Sequence, residues 1–250
     1  MAERIAKRLA HAGIASRREA EKLITDGRIA VNGTTLTTPA VTVEPDDVIT
    51  FDGERIGEKP SLRLWRFYKP EGALVTNKDD RNRTTIFDLL PDTMPHVVAV
   101  GRLDMNSEGL LLLTNDGELA RWLELPETGW ARRYRVRVYG TPTKEMIARM
   151  KTGMTVDGVK YGPIEATIDT QNGANAWMTM SLHEGKNREI RKVLAALELN
   201  VNRLLRVSYG PFQLGQLKRG RVDEMTGKAI KEQLGGQWAE RVHAHRRRKT

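Results

Sequence analysis

The sequence predicts an α+β protein in two parts. A small domain spans residues 1–60, a larger one spans 61–240, and a basic tail covers 241–250. Three features of the chain point that way. Within the first 60 residues, apolar side chains recur first at helical spacing and then in short strand-like runs. Glu54 to Ser61 is charged, aperiodic and carries Gly57 and Pro60, as a linker does. Beyond it, strands and helices follow one another without the regular alternation of a parallel α/β fold. An antiparallel or mixed sheet is therefore expected. A chain of 250 residues has room for both domains.

In the small domain, Ile5 and Leu9 with flanking Ala residues form the apolar face of a short helix. Ser16-Arg17-Arg18-Glu19 is a capping box and opens a second helix, with Ala20, Leu23 and Ile24 inward. Gly27 stops it. Arg28 to Val31 is a short strand, and Asn32-Gly33 is a hairpin turn. Val41, Val43, Val48, Ile49 and Phe51 supply further short strands.

In the larger domain, Leu64 to Lys69 is a strand ending at Pro70, and Thr85 to Leu90 is a helical turn before Pro91. Val97 to Val100 is a strand, and Leu110 to Leu113 is a fully apolar one. Asn115-Asp116-Gly117 signals a turn, and Glu118 to Leu125 is a short helix. Arg133 to Tyr139 alternates as a half-exposed strand, with Tyr134, Val136 and Val138 on one face and Arg133, Arg135 and Arg137 on the other. Lys144 to Lys151 is a helix with Met146, Ile147 and Met150 inward. Val156 to Ile168 and Ala176 to Leu182 read as strands. Asn187 to Leu197 is a helix that buries Ile190, Val193, Leu194 and Leu197. Val201 to Val207 is a strand, and Lys228 to Leu234 a closing helix. The tail from His243 to Lys249 is expected to be disordered.

Composition narrows the function. There is no Cys, so disulfides, Cys-based zinc sites and thiol catalysis are excluded. The five His show no metal-ligand spacing. No apolar run approaches the roughly 18 residues that span a bilayer, and no signal-peptide apolar region follows Met1. A cytoplasmic protein without metal, cofactor or membrane contact is expected, acting as a monomer. The net charge is +9, and residues 131–250 hold 24 of the 41 Lys and Arg. Such a balance suits a polyanionic partner. It also suits a basic protein kept soluble by its charge.

The most informative stretch runs from Gly101 to Leu119, GRLDMNSEGLLLLTNDGEL. It puts Arg102 and Asp104 in a polar loop between two buried strands, where catalytic residues are often held. The plain alternative is a turn carboxylate capping its own backbone. Three more stretches stand out. Arg132 to Val136 carries Tyr134, which could equally pack on the sheet. Glu184 to Lys192, EGKNREIRK, places a Gly before a helix start, beside Lys186, Asn187 and Arg188; such a start suits an anion, or is simply a basic surface helix. Val201 to Pro211 contains Leu205, which fits a core strand as well.

The loop around Asp104, followed in order by the other three stretches, closely resembles the RsuA/RluB family of ribosomal pseudouridine synthases. The likeness covers about residues 2 to 235. The wording near Arg188 and Arg191 is closer to the large-subunit branch. Ala15 to Glu21 and Gly27 to Gly33 resemble the alpha-L RNA-binding motif of a small-subunit ribosomal protein. One departure is the short C-terminal tail where many relatives of the large-subunit branch carry a long basic one.

The resemblance implies isomerisation of uridine to pseudouridine. The glycosidic bond breaks, the uracil turns, and it is rejoined through C5, with the target base first drawn out of its helix. Asp104 matches the catalytic carboxylate, which either attacks C1′ or removes the C2′ proton; both routes stay open. Tyr134 matches the aromatic that stacks on the uracil and could relay the C5 proton. Arg191 matches the cation that pairs with the Asp. Arg102 matches an Arg that helps displace the target base, Lys186, Asn187 and Arg188 would contact phosphate, and Leu205 would wall the base pocket. Arg17, Arg18 and Lys22 would face RNA. The implied partner is ribosomal RNA or a ribosomal assembly intermediate. A small-subunit RNA enzyme, or a non-catalytic assembly factor using the same basic surface, are the rival readings.

Overall fold

A computed structural model describes residues 2–57 and 60–247. The N-terminal unit holds β1 (Glu3–Arg4), α1 (Ile5–His11), α2 (Arg17–Thr25), β2 (Ile29–Val31), β3 (Thr34–Thr35), β4 (Thr42–Val43), β5 (Ile49–Phe51) and β6 (Glu54–Arg55). The Ser16 hydroxyl accepts from the Glu19 N–H and the Glu19 carboxylate accepts from the Ser16 N–H, the reciprocal cap that the sequence signals. Both residues of the Asn32-Gly33 turn take positive φ, 50° and 81°, which matches the twist of a tight hairpin between β2 and β3. Ile5, Leu9, Ala20, Ile24, Ile29, Val43 and Ile49 form a separate small core. Glu54–Arg55 pairs with β5, so the sheet extends into the stretch expected to be a linker.

The larger unit holds β7 (Leu64–Lys69), β8 (Val98–Val100), β9 (Glu108–Thr114), α3 (Gly117–Glu124), β10 (Arg132–Tyr139), α4 (Lys144–Thr152), β11 (Met154–Val156), β12 (Val159–Tyr161), β13 (Glu165–Asn172), β14 (Asn175–Leu182), α5 (Glu189–Ala195), β15 (Asn200–Tyr209), β16 (Phe212–Gln213), β17 (Val222–Glu224) and α6 (Gly227–Arg247). Nine of these strands form one mixed sheet in the order β13-β14-β10-β15-β9-β7-β17, with β16 on β15 and β8 on β9. The pairing of β15 with β9 is parallel; the other pairings of this sheet are antiparallel.

β9 explains its own composition. Leu111 and Leu113 enter a core with Tyr134, Val136, Met178 and the α5 residues Ile190, Val193 and Leu194. Leu110 and Leu112 enter a second core with Leu119 and Leu123 of α3 and Ile230 and Leu234 of α6. A strand buried on both faces reads as an unbroken apolar run, and each such leucine contributes roughly 1.5–3 kcal/mol.

Several boundaries differ from the sequence expectation. The stretch from Val156 to Ile168 is not one strand: residues of β11, β12 and β13 divide it, with Asp157 and Gly158 at positive φ making the first turn. Asp116 is the N-cap of α3, accepting from the Glu118 and Leu119 N–H groups, so the turn signal there is a helix start. α5 begins at Glu189 rather than Asn187, because Arg188 is left-handed at φ 51°, ψ 32°. Helical backbone continues through the expected disordered tail to Arg247, broken at Gly235, and residues 248–250 lie outside the described residues.

Candidate active site

Asp104 lies in the loop between β8 and β9, and the backbone there is held at successive carbonyls. The Asp104 carbonyl accepts from the Ser107 N–H at 3.0 Å. The Met105 carbonyl accepts from the Gly72 N–H at 2.8 Å and from Lys69 Nζ at 3.3 Å. The Asn106 carbonyl accepts from Arg191 Nη2 at 2.7 Å, and the Ser107 carbonyl from Lys69 Nζ at 2.7 Å. At the loop's entry the Gly101 N–H donates to Glu124 Oε1 at 2.8 Å. A loop whose carbonyls are satisfied this way has little freedom to move, so its one carboxylate is aimed by the backbone.

Gly109 seats the end of the loop. Its φ is 104°, and a Cβ there would stand 2.3 Å from the Arg206 carbonyl oxygen and 2.7 Å from Leu205 Cδ1. Glycine lets β9 and β15 meet in parallel at Glu108–Leu205 and Gly109–Arg206.

Lys69 is a site residue that sequence reasoning misses. Its side chain is fully buried at the end of β7, and Nζ also donates to the Pro70 carbonyl at 3.0 Å. Three donors thus meet three carbonyls. Burial lowers its pKa to about 8, against the nearby charges of Asp104, Glu71 and Glu108, which favour the ammonium. The only signal in the sequence is a lysine ending a strand that otherwise reads as core.

The Asp104 carboxylate is partly exposed, and its ion pair is with Arg188, Nη1 to Oδ2 at 3.5 Å. Arg191, expected to pair with Asp104, feels that charge but makes no direct ion pair with it among the described residues. Arg191 spends its fork on backbone, with Nη1 on the Val201 carbonyl at 3.1 Å and Nη2 on Asn106. Its pKa is lowered by burial and by Arg188, while Asp104 and Glu71 pull the other way. Arg191 therefore supports the loop and adds positive potential, and the left-handed backbone of Arg188 turns that side chain to the carboxylate.

Two further candidates have partners of their own within the protein. Lys186 is engaged within the protein: Nζ pairs with Glu184 at 2.8 Å and donates to the Lys160 carbonyl at 2.6 Å, so its charge is compensated. Leu205 lies on the sheet face opposite Tyr134. β10–β15 register sets Leu205 opposite Arg135 and Leu204 opposite Val136, so Leu204 shares the face of Tyr134 and Leu205 packs against the other core. Tyr134 is buried among Leu103, Met180 and Leu204, on the face the alternation assigned. Arg102 and Asn187 are exposed.

The turn carrying Arg188 rests on a carboxyl pair. Buried Glu189 accepts from the Lys186 N–H at 3.1 Å, and burial together with Glu184 pushes its pKa up to about 8. The two carboxyls titrate as a pair, with Glu189 held above and Glu184 below the ordinary carboxylate range, and the Glu184 carboxylate also accepts from the Gly162 N–H. Arg17 and Arg18 are exposed at the start of α2 and line a cleft of about 640 Å³ with His96 and Arg121 of the larger unit. Lys7 and Glu118 form an ion pair between the two units. Lys22 is exposed on a neighbouring shallow groove that also reaches His96.

Comparison with known proteins then decides the family. The family model for RNA pseudouridylate synthase matches residues 63–196, and the S4 domain model matches residues 3–49. The chain belongs to the RNA pseudouridylate synthase family. An uncharacterized RNA pseudouridine synthase of Rickettsia bellii is 44% identical to this synthase over 229 residues, covering 92% of the chain and 99% of the relative. The ribosomal large subunit pseudouridine synthase B of Yersinia pestis is 41% identical over 239 residues, covering 92% of the chain and 74% of the relative. A pseudouridylate synthase crystal structure superposes with a TM-score of 0.64 at 24% identity, covering 93% of this chain and 99% of that one. The synthase is thus an isomerase of the RsuA/RluB type, with an N-terminal S4 domain ahead of its catalytic sheet.

Proposed function

We propose that this synthase converts a uridine of large-subunit ribosomal RNA to pseudouridine, in the cytoplasm and as a monomer, with residues 1–60 binding RNA and 61–240 doing the chemistry. What carries the substrate reading is the likeness, about 40% over most of the chain, to relatives named ribosomal large subunit pseudouridine synthase B. Asp104 acts as the catalytic carboxylate, on a loop whose backbone is pinned before substrate arrives. Tyr134 stacks on the uracil, and base–aromatic stacking contributes about 1–3 kcal/mol. Leu204 takes the wall role on the same face. Arg188 pairs with Asp104 in the free enzyme, and incoming phosphate or the polarised base competes for that guanidinium. Arg102 stands exposed two residues from Asp104, ready to meet the flipped nucleotide. Arg17, Arg18 and Lys22 hold flanking RNA.

Pseudouridine mapping in ribosomal RNA from a strain lacking the gene tests the substrate. Loss of one pseudouridine in the large-subunit RNA is expected. A lost site in small-subunit RNA, with the large-subunit RNA intact, would overturn the assignment.

A further inference from the structure

Arg133, Arg135, Arg137 and Tyr139 alternate along β10 and all four are exposed, on the sheet face opposite Tyr134, Val136 and Val138. Successive members of such a row stand about 7 Å apart. Trp177 on β14 and Arg203 on β15 are the register partners of Arg137 on either side. Arg135 and Arg203 lie over the Trp177 ring, at 5.3 and 6.0 Å from its centroid. The face therefore combines guanidinium groups with two aromatic rings, one of them, Tyr139, 54% exposed.

Its charges are not all spent within the protein. Arg135 pairs with Asp169 at 3.1 Å, and Arg203 pairs with the nearly buried Glu108. Arg133 and Arg137 have no acidic partner among the described residues. Two unpaired arginines on one face of a strand add self-repulsion, and packing does not require them. The opposite sheet face buries one of the domain's two apolar cores under α4 and α5, and the four side chains of this row are exposed, so the row does not complete the fold.

We propose that this face is a second RNA-contact surface, on the side of the sheet opposite Tyr134, that holds the backbone of a long RNA whose target segment lies at Asp104. Arg133 and Arg137 contact phosphates, and Tyr139 offers a stacking edge to an unpaired base. The proposal rests on the reading that the substrate is a large folded RNA. A short oligonucleotide that fills only the Asp104 region does not reach this face.

The test uses the full chain and an Arg133→Ala/Arg137→Ala variant, with two probes: a full-length large-subunit ribosomal RNA transcript and a short uridine-containing oligonucleotide. Affinities are measured across a series of salt concentrations, and the thermal midpoint of each protein confirms folding. The variant is expected to bind the long transcript about tenfold more weakly, with a salt slope reduced by roughly 1.5–2, and to bind the oligonucleotide as wild type does. Equal affinity and equal slope for the long transcript would overturn the proposal. Ultraviolet crosslinking to ribosomal subunits is the second measurement. RNA crosslinks at Tyr139 or Trp177 support the surface, whereas contacts there only with ribosomal protein would overturn it. Should the mapping experiment assign the substrate to small-subunit RNA, that transcript replaces the first probe and the comparison stands.

Discussion

Arg188 Nη1 lies 3.5 Å from Asp104 Oδ2, while Arg191, one helical turn on, is committed to the backbone of the same loop. The two arginines therefore have separate roles. Arg188 meets the carboxylate, and Arg191 fixes the peptide that carries it. Charged hydrogen bonds to backbone contribute about 1.5–3 kcal/mol each, and a partly exposed ion pair about 0.2–1 kcal/mol. Arg191→Ala is expected to slow single-turnover pseudouridine formation by at least tenfold. Arg191→Lys should fall close to it, because an ammonium cannot span both carbonyls as the planar fork does. Arg188→Gln should slow turnover only a few-fold. Single-turnover kinetics check this, and a larger defect for Arg188→Gln than for Arg191→Ala would reverse the division.

Lys69 should titrate near pH 8, and it can be followed by the NMR shift of its side-chain carbon next to nitrogen. Its folded pKa is below the unfolded value, so between pH 8 and about 10.4 the unfolded chain binds more protons and stability contributed by this group rises with pH. Below pH 8 the charged form is buried and its cost is offset by three carbonyls. Lys69→Met removes those donors and leaves the Ser107 and Met105 carbonyls short of partners. It is expected to lower activity more than tenfold at pH 7. A titration midpoint above pH 10 would mean that the ammonium is not desolvated.

Glu189 works in the opposite sense. Its pKa is raised from the ordinary carboxylate range to about 8, so the folded state binds the extra proton between about pH 4.3 and pH 8. The stability it contributes is complete below pH 4.3 and is lost as pH rises toward 8. Glu189→Gln carries a neutral isostere and should stabilise the protein at pH 8 by about 1–3 kcal/mol, with no gain at pH 4.5. Denaturant unfolding at the two pH values measures the difference. A variant less stable than wild type at pH 8 would show that the carboxylate is the required form.

Gly109→Ala should be among the most damaging single-methyl changes in the chain. The added carbon meets backbone at 2.3 Å, at a φ of 104°. Strain and overpacking together should cost at least about 3 kcal/mol. A thermal midpoint within a degree or two of wild type would mean that β9 and β15 can separate at this point without loss.

Much of this architecture is legible from side-chain pattern. The capping box at Ser16, the Asn32-Gly33 hairpin and the inward face of Tyr134 all follow from local chemistry, and the structure places them as expected. What the pattern leaves open is decided by tertiary contacts. Leu204 and Leu205 are adjacent and equally apolar, and only the register against β10 says which one faces Tyr134. Lys186 and Arg188 look alike as basic turn residues, yet Glu184 neutralises one and left-handed backbone turns the other to Asp104. Lys69 is invisible to sequence reasoning because nothing local marks a lysine whose partners, apart from the adjacent Pro70 carbonyl, are carbonyls 36 and 38 residues further along the chain.

Asp104→Asn tests most directly whether Asp104 is the reacting carboxylate. The amide keeps the shape of the side chain, and the loop is held through its backbone, so folding and RNA affinity should stay within a few-fold of wild type. The amide can neither attack C1′ nor remove a proton. Single-turnover conversion of uridine in large-subunit ribosomal RNA, measured at saturating enzyme, should fall below detection. Turnover near one tenth of the wild-type rate would contradict the assignment and leave Asp104 as a loop residue.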